Sequence, residues 1–341
     1  MNHCFRSSFF LFLGMAVFSA CSGRMSLDAA LPNEGEPVRL MVDVNREGTK
    51  AVDVSESLIY RTLQVLVFNG EALDGYGISN GNLAVVSCTT GKREIWCVVN
   101  GEDLSGIKTR SELLSVSASL PESPNELLLI GSVEEIVQDS GTINVEVDRL
   151  VSRVVLKGIR NGFADGSDMT LKAIYLINVA GDANYGLDSS YEVSNWYNRR
   201  AYESENCIDA LMYDSLDVTV AAGETYSVAH YFFCYPNGFP AAVGGPFSPR
   251  ASLLVIQAEV DGVLYDYPIM LPVMASNCSY EIELVNITRI GNVDNGVAAG
   301  SDDDSDEETV VEGLRPSLSV SHSDWNVVNA LGEGVNEYII Q

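Results

Sequence analysis

The chain has 341 residues, 46% of them hydrophobic and 9% aromatic, and a net charge of −27. That charge excludes nonspecific nucleic-acid binding, because an acidic surface repels phosphate, and it points to neutral, basic or cationic partners. The length suffices for one large core or two of ordinary size, and two domains are expected.

At the N-terminus Arg6 precedes an apolar run over 9–18, followed by the small residues Ser19 and Ala20 and then Cys21. This is the pattern of a signal peptide over 1–20. The run is too short to cross a bilayer, which takes about 20 apolar residues. Phe18-Ser19-Ala20-Cys21 resembles the bacterial lipobox, so Cys21 is the expected lipidation site and the first residue of the mature chain. An ordinary signal peptide with an accidental cysteine is the alternative. Several acyl chains on one residue anchor a protein stably, at ~0.8 kcal/mol per buried methylene. The chain beyond Cys21 is expected to be a soluble ectodomain.

From there the chain reads as strands. Val38, Leu40, Val42 and Val44 alternate with Arg39, Met41, Asp43 and Asn45, the period of a strand that buries one face. Similar runs predict strands at 62–68, 83–88, 94–99, 142–147, 153–159, 171–179, 216–220, 226–235, 253–260, 265–271 and 280–290. Asn69-Gly70, Asp74-Gly75, Asn80-Gly81, Asn161-Gly162 and Asp261-Gly262 read as turns between them. Helix is expected only in short pieces within 105–119, 134–137 and 206–211. Many short strands with such turns predict an all-β chain of β-sandwiches. The expected organisation is a signal peptide over 1–20, a lipidated segment over 21–50 with the first strand, domains over 51–149 and 150–325, and a tail over 326–341.

Cysteine usage adds little. Beyond Cys4 and Cys21 there remain Cys88, Cys97, Cys207, Cys234 and Cys278, an odd number without a CxxC metal pattern. Cys88 and Cys97 flank a turn and read as buried thiols, with a disulfide across the hairpin as the alternative.

Several segments occur in a telling order. After the lipobox and the early strand with its basic residue come Leu63-Gln64-Val65-Leu66-Val67-Phe68-Asn69 and Arg149-Leu150-Val151-Ser152-Arg153-Val154-Val155-Leu156. Next are Tyr231-Phe232-Phe233-Cys234-Tyr235-Pro236-Asn237, Asp261-Gly262 ahead of Tyr265-Asp266-Tyr267-Pro268-Ile269, the run 277–291, and Asp324-Trp325. Over most of the mature chain this set resembles the Bacteroidales fimbrillin family. The resemblance implies two tandem transthyretin-like β-sandwich domains and lipoprotein export to the outer membrane. It also implies cleavage by a trypsin-like protease after a basic residue in the loop following the first strand. Polymerisation would then proceed by strand exchange with other copies of the chain or with related fimbrial subunits.

On that resemblance Val38, Leu40, Val42 and Val44 form a removable strand, and Arg46 is the expected site of proteolytic maturation, with Lys50 as the alternative. The loop 45–50 is polar and contains Gly48, which suits proteolysis. Loss of the strand would leave an apolar groove with unpaired backbone groups, which an incoming strand could fill by β-augmentation. The candidate donor is the tail, where Val335, Tyr338, Ile339 and Ile340 supply apolar side chains and Gly332 and Gly334 a joint. The alternative is a tail that pairs within its own domain.

Other candidates are weaker. Residues 301–308 hold six carboxylates and could attract Ca²⁺, but they lack the glycine and terminal glutamate of an EF-hand loop and read better as a solvated insertion. His230 and His322 have no metal-spaced neighbours and read as structural. Trp196-Tyr197-Asn198-Arg199-Arg200 could contact glycans or protein, or could pack locally. There is no GxSxG elbow and no helical carboxylate pair, so no enzyme, metal or cofactor is expected. The expected function is a structural subunit of a surface fimbria supporting adhesion. The alternative is a surface-anchored glycan-binding or nutrient-capturing β-sandwich lipoprotein.

Overall fold

The computed structural model describes residues 35–44, 60–120, 126–187, 191–198, 212–238, 251–293, 321–322, 326–329 and 338–340. The chain is all-β and forms two β-sandwiches in tandem. The first is built from β1 (Pro37–Val44), β2 (Leu63–Asn69), β3 (Ala72–Ser79), β4 (Leu83–Thr89), β5 (Gly91–Val99), β6 (Ser117–Ser119), β7 (Leu129–Val137), β8 (Gly141–Val145) and β9 (Asp148–Arg149), with a short helix α1 (Arg110–Ser115). One layer has the order β4–β1–β8 and the other β3–β2–β5–β7–β9. Their facing sides enclose a core that includes Leu40, Val42, Val65, Val86, Ile95 and Val145.

The second sandwich opens with β10 (Ser152–Leu156), β11 (Ile159–Asn161), β12 (Met169–Ile177), β13 (Val179–Ala180), β14 (Asp182–Asn184) and β15 (Trp196–Tyr197). It continues with β16 (Tyr213–Val220), β17 (Thr225–Tyr226), β18 (His230–Cys234), β19 (Leu253–Val260), β20 (Val263–Met270), β21 (Cys278–Ile282), β22 (Val285–Ile287) and β23 (Asn292–Val293). The last strands are β24 (Ser321–His322), β25 (Asn326–Asn329) and β26 (Tyr338–Ile340). One layer is β16–β12–β19–β20–β23, and opposite lie β18–β10–β21–β25–β24 and β17–β11–β22–β26. The latter two are halves of one layer bent at Gly158, with Lys157 donating to the Ile282 carbonyl and Val285 to that of Gly158, each at 2.9 Å.

The two sandwiches repeat one topology. β1 lies antiparallel to β4 and parallel to β8. In the same way β10 lies antiparallel to β18 and parallel to β21, and β11 repeats the arrangement with β17 and β22. The second sandwich differs in having the C-terminal strands β25 and β26 beside β21 and β22.

The sandwiches share apolar contacts because β2 is buried on both sides. Leu63, Val65 and Val67 face the first core, while Leu66 and Phe68 join the cluster that fills the second sandwich. The segment after β5 covers this outer side through Leu104, Leu113 and Ala118. Gln64, 1% exposed, fastens it: its amide donates to the Glu102 carbonyl at 2.6 Å, and its Oε1 accepts from the Leu104 N–H and the Tyr76 hydroxyl, both at 2.8 Å. α1 is started by a capping box in which Thr109 and Glu112 satisfy each other's backbone N–H. β6 then pairs antiparallel with β14 and ties the halves through main-chain hydrogen bonds.

Some expectations need correction. Asp74-Gly75 is not a turn but the middle of β3, and glycine is needed because the β4 backbone crosses there: a methyl on Gly75 would overlap the Ser87 carbonyl. The stretch 134–137 is strand, within β7, because pairing with β5 from Gly91↔Val137 to Val99↔Leu129 overrides local helix preference. Helix within 105–119 is confined to α1. The single strands expected over 153–159, 226–235 and 280–290 are each broken by the bend at Gly158 or its neighbours. Residues 206–211 lie outside the described residues.

Candidate assembly site

β1 is the middle strand of its layer. Its alternation places Leu40, Val42 and Val44 at 2% exposure or less, with Val38 half-buried, while Pro37, Arg39 and Met41 face outward. The inward residues pack beside Val86 and Ala84 on β4 and Ile143 and Val145 on β8. The expected removable strand is therefore a fully engaged part of the core, hydrogen-bonded on both edges.

What sets β1 apart is how it is tied to the rest. Residues 45–62 separate it from β2, whereas β4 is joined to β3 and β5, and β8 to β7 and β9, by connections of at most three residues. The cleavage candidates Arg46 and Lys50 sit in that long connection and lie outside the described residues, as do Cys21, residues 301–308 and Val335.

The start of β1 is clasped by a buried polar group that sequence reasoning missed. Arg93 on β5 is 1% exposed, and its Nε donates to Asp74 Oδ2 at 2.8 Å. Its Nη2 reaches Thr89 Oγ1 at 2.5 Å and the Thr90 carbonyl at 2.7 Å, and Nη1 reaches the Lys92 carbonyl at 2.8 Å. Asp74 also accepts from the Thr89 N–H at 2.8 Å. Thr90 in turn exchanges backbone hydrogen bonds with Gly35 and Glu36, and its Oγ1 accepts from the Glu36 N–H at 3.1 Å. Burial alone would raise the Asp74 pKa. The Thr89 N–H, the Arg93 and Thr89 side chains and the guanidinium charge outweigh it and hold the carboxyl below its ordinary value. An acidic residue and an arginine 19 positions apart carry no local signal of such pairing.

Where they are described, the C-terminal strands pair within the same chain. β24 precedes the tail, and β25 runs parallel to β21 from Cys278↔Asn326 to Glu281↔Asn329. β26 runs parallel to β22, with Tyr338 beside Val285, Ile339 beside Asn286 and Ile340 beside Ile287. The open edge of β21 and β22 offers unpaired backbone groups, and the tail of the same chain fills them.

Several of the remaining candidates have partners inside the fold. Cys88 and Cys97 are buried, separate thiols, pushed up to about 11 and about 12 by burial. His230 is buried, with Nδ1 2.6 Å from Asp214 Oδ2 and Nε2 3.1 Å from the Tyr226 hydroxyl, so both ring nitrogens have partners within the sandwich. His322 lies in β24. Tyr197 lays its ring on Gly181, where a methyl would overlap it, and Trp196 packs against the large core, so this aromatic pair is used internally. Among the described residues no group of three His, Cys, Asp or Glu is placed to hold a metal ion, and no helix is long and apolar enough to cross a membrane.

No protein-family model and no curated protein matches the sequence. Solved structures do match. A protein assigned to cell adhesion from Bacteroides eggerthii is 17% identical with a TM-score of 0.57, over 81% of this chain and 93% of that one. A fimbrilin from Porphyromonas gingivalis is 13% identical with a TM-score of 0.55, over 76% and 92%. Another adhesion-assigned protein, from Parabacteroides distasonis, is 16% identical with a TM-score of 0.54, over 75% and 89%.

The clasp predicts a pH signature. A depressed carboxyl contributes stability that is complete above its unfolded pKa, about 4, and is lost as pH falls through its lower folded value. Asp74→Asn is expected to remove that part of the acid-side loss and, by leaving Arg93 buried beside a neutral partner, to cost about 3 kcal/mol at neutral pH. Urea unfolding of both proteins between pH 2 and 7 checks this; parallel pH profiles would contradict it. In fold, then, the chain is like a fimbrilin and adhesion-assigned proteins of Bacteroidales.

Proposed function

We propose that the chain is a structural subunit of a surface fimbria. In this reading it is exported as a lipoprotein acylated on Cys21, anchored in the outer membrane, and cut by a trypsin-like protease after Arg46 or Lys50. It then polymerises with copies of itself or related subunits by strand exchange and supports adhesion. The observation that carries the reading is β1: a core strand, paired on both edges, yet attached to the next strand only through a long connection containing Arg46 and Lys50. The likeness in fold to a fimbrilin supports it. Removing β1 would uncover Leu40, Val42 and Val44, about 5–8 kcal/mol of burial that a replacement strand could recover. On the same reading the domains divide near Arg149, between the two sandwiches.

The tail is the proposed replacement. β26 already pairs parallel with β22, the counterpart of β8 in the topological repeat. β26 thus already runs parallel to a strand of this type, on the edge away from β11, and once released it could do the same on the edge of another subunit's β8 that β1 leaves.

Three experiments test this. Cys21→Ala is expected to abolish metabolic acyl labelling and shift the protein to the medium; labelling that persists would contradict the anchor. Arg46→Ala combined with Lys50→Ala is expected to leave exported monomer with β1 in place. Cys88, 4% exposed and paired with Val38, should then resist thiol reagents in the double variant and react in the cut wild type. Fibres of normal length from the double variant would end the maturation step. Deleting residues 335–341 is expected to stop elongation while costing the monomer at most the few hydrogen bonds of β26. Ile339→Asp and Ile340→Asp should differ sharply, because the two side chains face opposite sides of a strand. Polymer length by electron microscopy, set beside thermal unfolding, gives the readout. A large loss of monomer stability without loss of elongation would exclude the tail as donor.

A further inference from the structure

We infer that the slot occupied by β1 is held open by its walls, so that it keeps its width when the strand leaves; this rests on the proposed departure of β1. An unsupported sheet that loses its middle strand gains by closing, because the outer strands can pair their freed backbone groups with each other. Here both walls are fixed to the opposite layer at both ends.

β4 enters from a turn after β3 and passes directly over it. A methyl on Gly77 would stand 2.6 Å from the Val85 carbonyl oxygen, and one on Gly75 would overlap that of Ser87, so two main chains touch where the layers join. β4 leaves into β5 through Thr89 and Thr90, which the buried Arg93 and Asp74 hold. β8 enters from the turn after β7. It leaves at Glu146, whose carbonyl lies against Gly131 of β7 so closely that any side chain there would overlap it. From there β9 pairs back onto β7, Leu129 with Arg149 and Ile130 with Asp148.

Neither wall can slide toward the other without parting these contacts. The walls stand two strand spacings apart, roughly 9.6 Å. The slot therefore admits a single strand with apolar residues alternating inward, and the strand that leaves it runs antiparallel to β4 and parallel to β8.

The test uses the full chain with spin labels on an unnatural keto amino acid at Ser87 and Thr142. Both positions are exposed and lie on the two walls, opposite Arg39 and Met41. The inter-label distance is measured by pulsed electron resonance before and after limited trypsin cleavage and release of the cut segment in dilute urea. Mass spectrometry follows the peptide containing Pro37–Val44 and circular dichroism follows the fold. The expected result is loss of the peptide with a change in distance of less than about 2 Å. Loss of the peptide with the labels closing by about one strand spacing, ~5 Å, or with loss of strand structure, overturns the inference and leaves strand departure standing. Retention of the peptide after complete cleavage overturns both.

Discussion

The first sandwich depends on three side chains of one strand. Leu40, Val42 and Val44 enter the core from the middle of a three-stranded layer, where the strand pairs with β4 over 37–43 and with β8 over 40–44. A middle strand is the hardest to lose without collapse. The sandwich meets that difficulty by crowding the backbones of β3 against β4 and of β7 against the exit of β8, at positions only glycine can occupy. Its core is continuous with β1 yet covalently independent of it, save through residues 45–62.

Much of this was legible as period. The alternation over 38–44 gave the correct buried face, and Asp261-Gly262 gave the hairpin between β19 and β20, where both residues take positive φ. The errors share one cause: contacts between residues distant in sequence. Asp74-Gly75 has the composition of a tight turn, yet its glycine answers to a carbonyl on another strand. Glu134 and Glu135 look helical until β5 pairs with them. Arg93 has no local signal of its place; only the fold brings Asp74 and Thr89 to it. Local composition reports what a residue prefers, and at these positions its neighbours across the sheet decide.

The second sandwich shows what the first lacks. Its counterpart of β1 is the pair β10 and β11, bent at Gly158 and extended by β25 and β26 along the far edge of β21 and β22. The sandwiches are not independent beads. The pairing of β6 with β14, the Tyr235 hydroxyl donating to the Ser119 carbonyl at 3.2 Å, and the two-sided burial of β2 join them through main-chain bonds and a shared core. A disturbance of the outer side of β2 is felt in both.

The repeat also carries an asymmetry. β10 follows β9 after two residues, and β11 leads into β12 through a short connection, so the strand that corresponds to β1 is sewn into the chain at both ends. Proteolysis of a loop cannot free it as it could free β1. Under strand exchange each molecule would then carry one acceptor and one donor. A building block of that valence would add end to end without a third point of attachment, and its polymers would grow as unbranched threads with distinguishable ends.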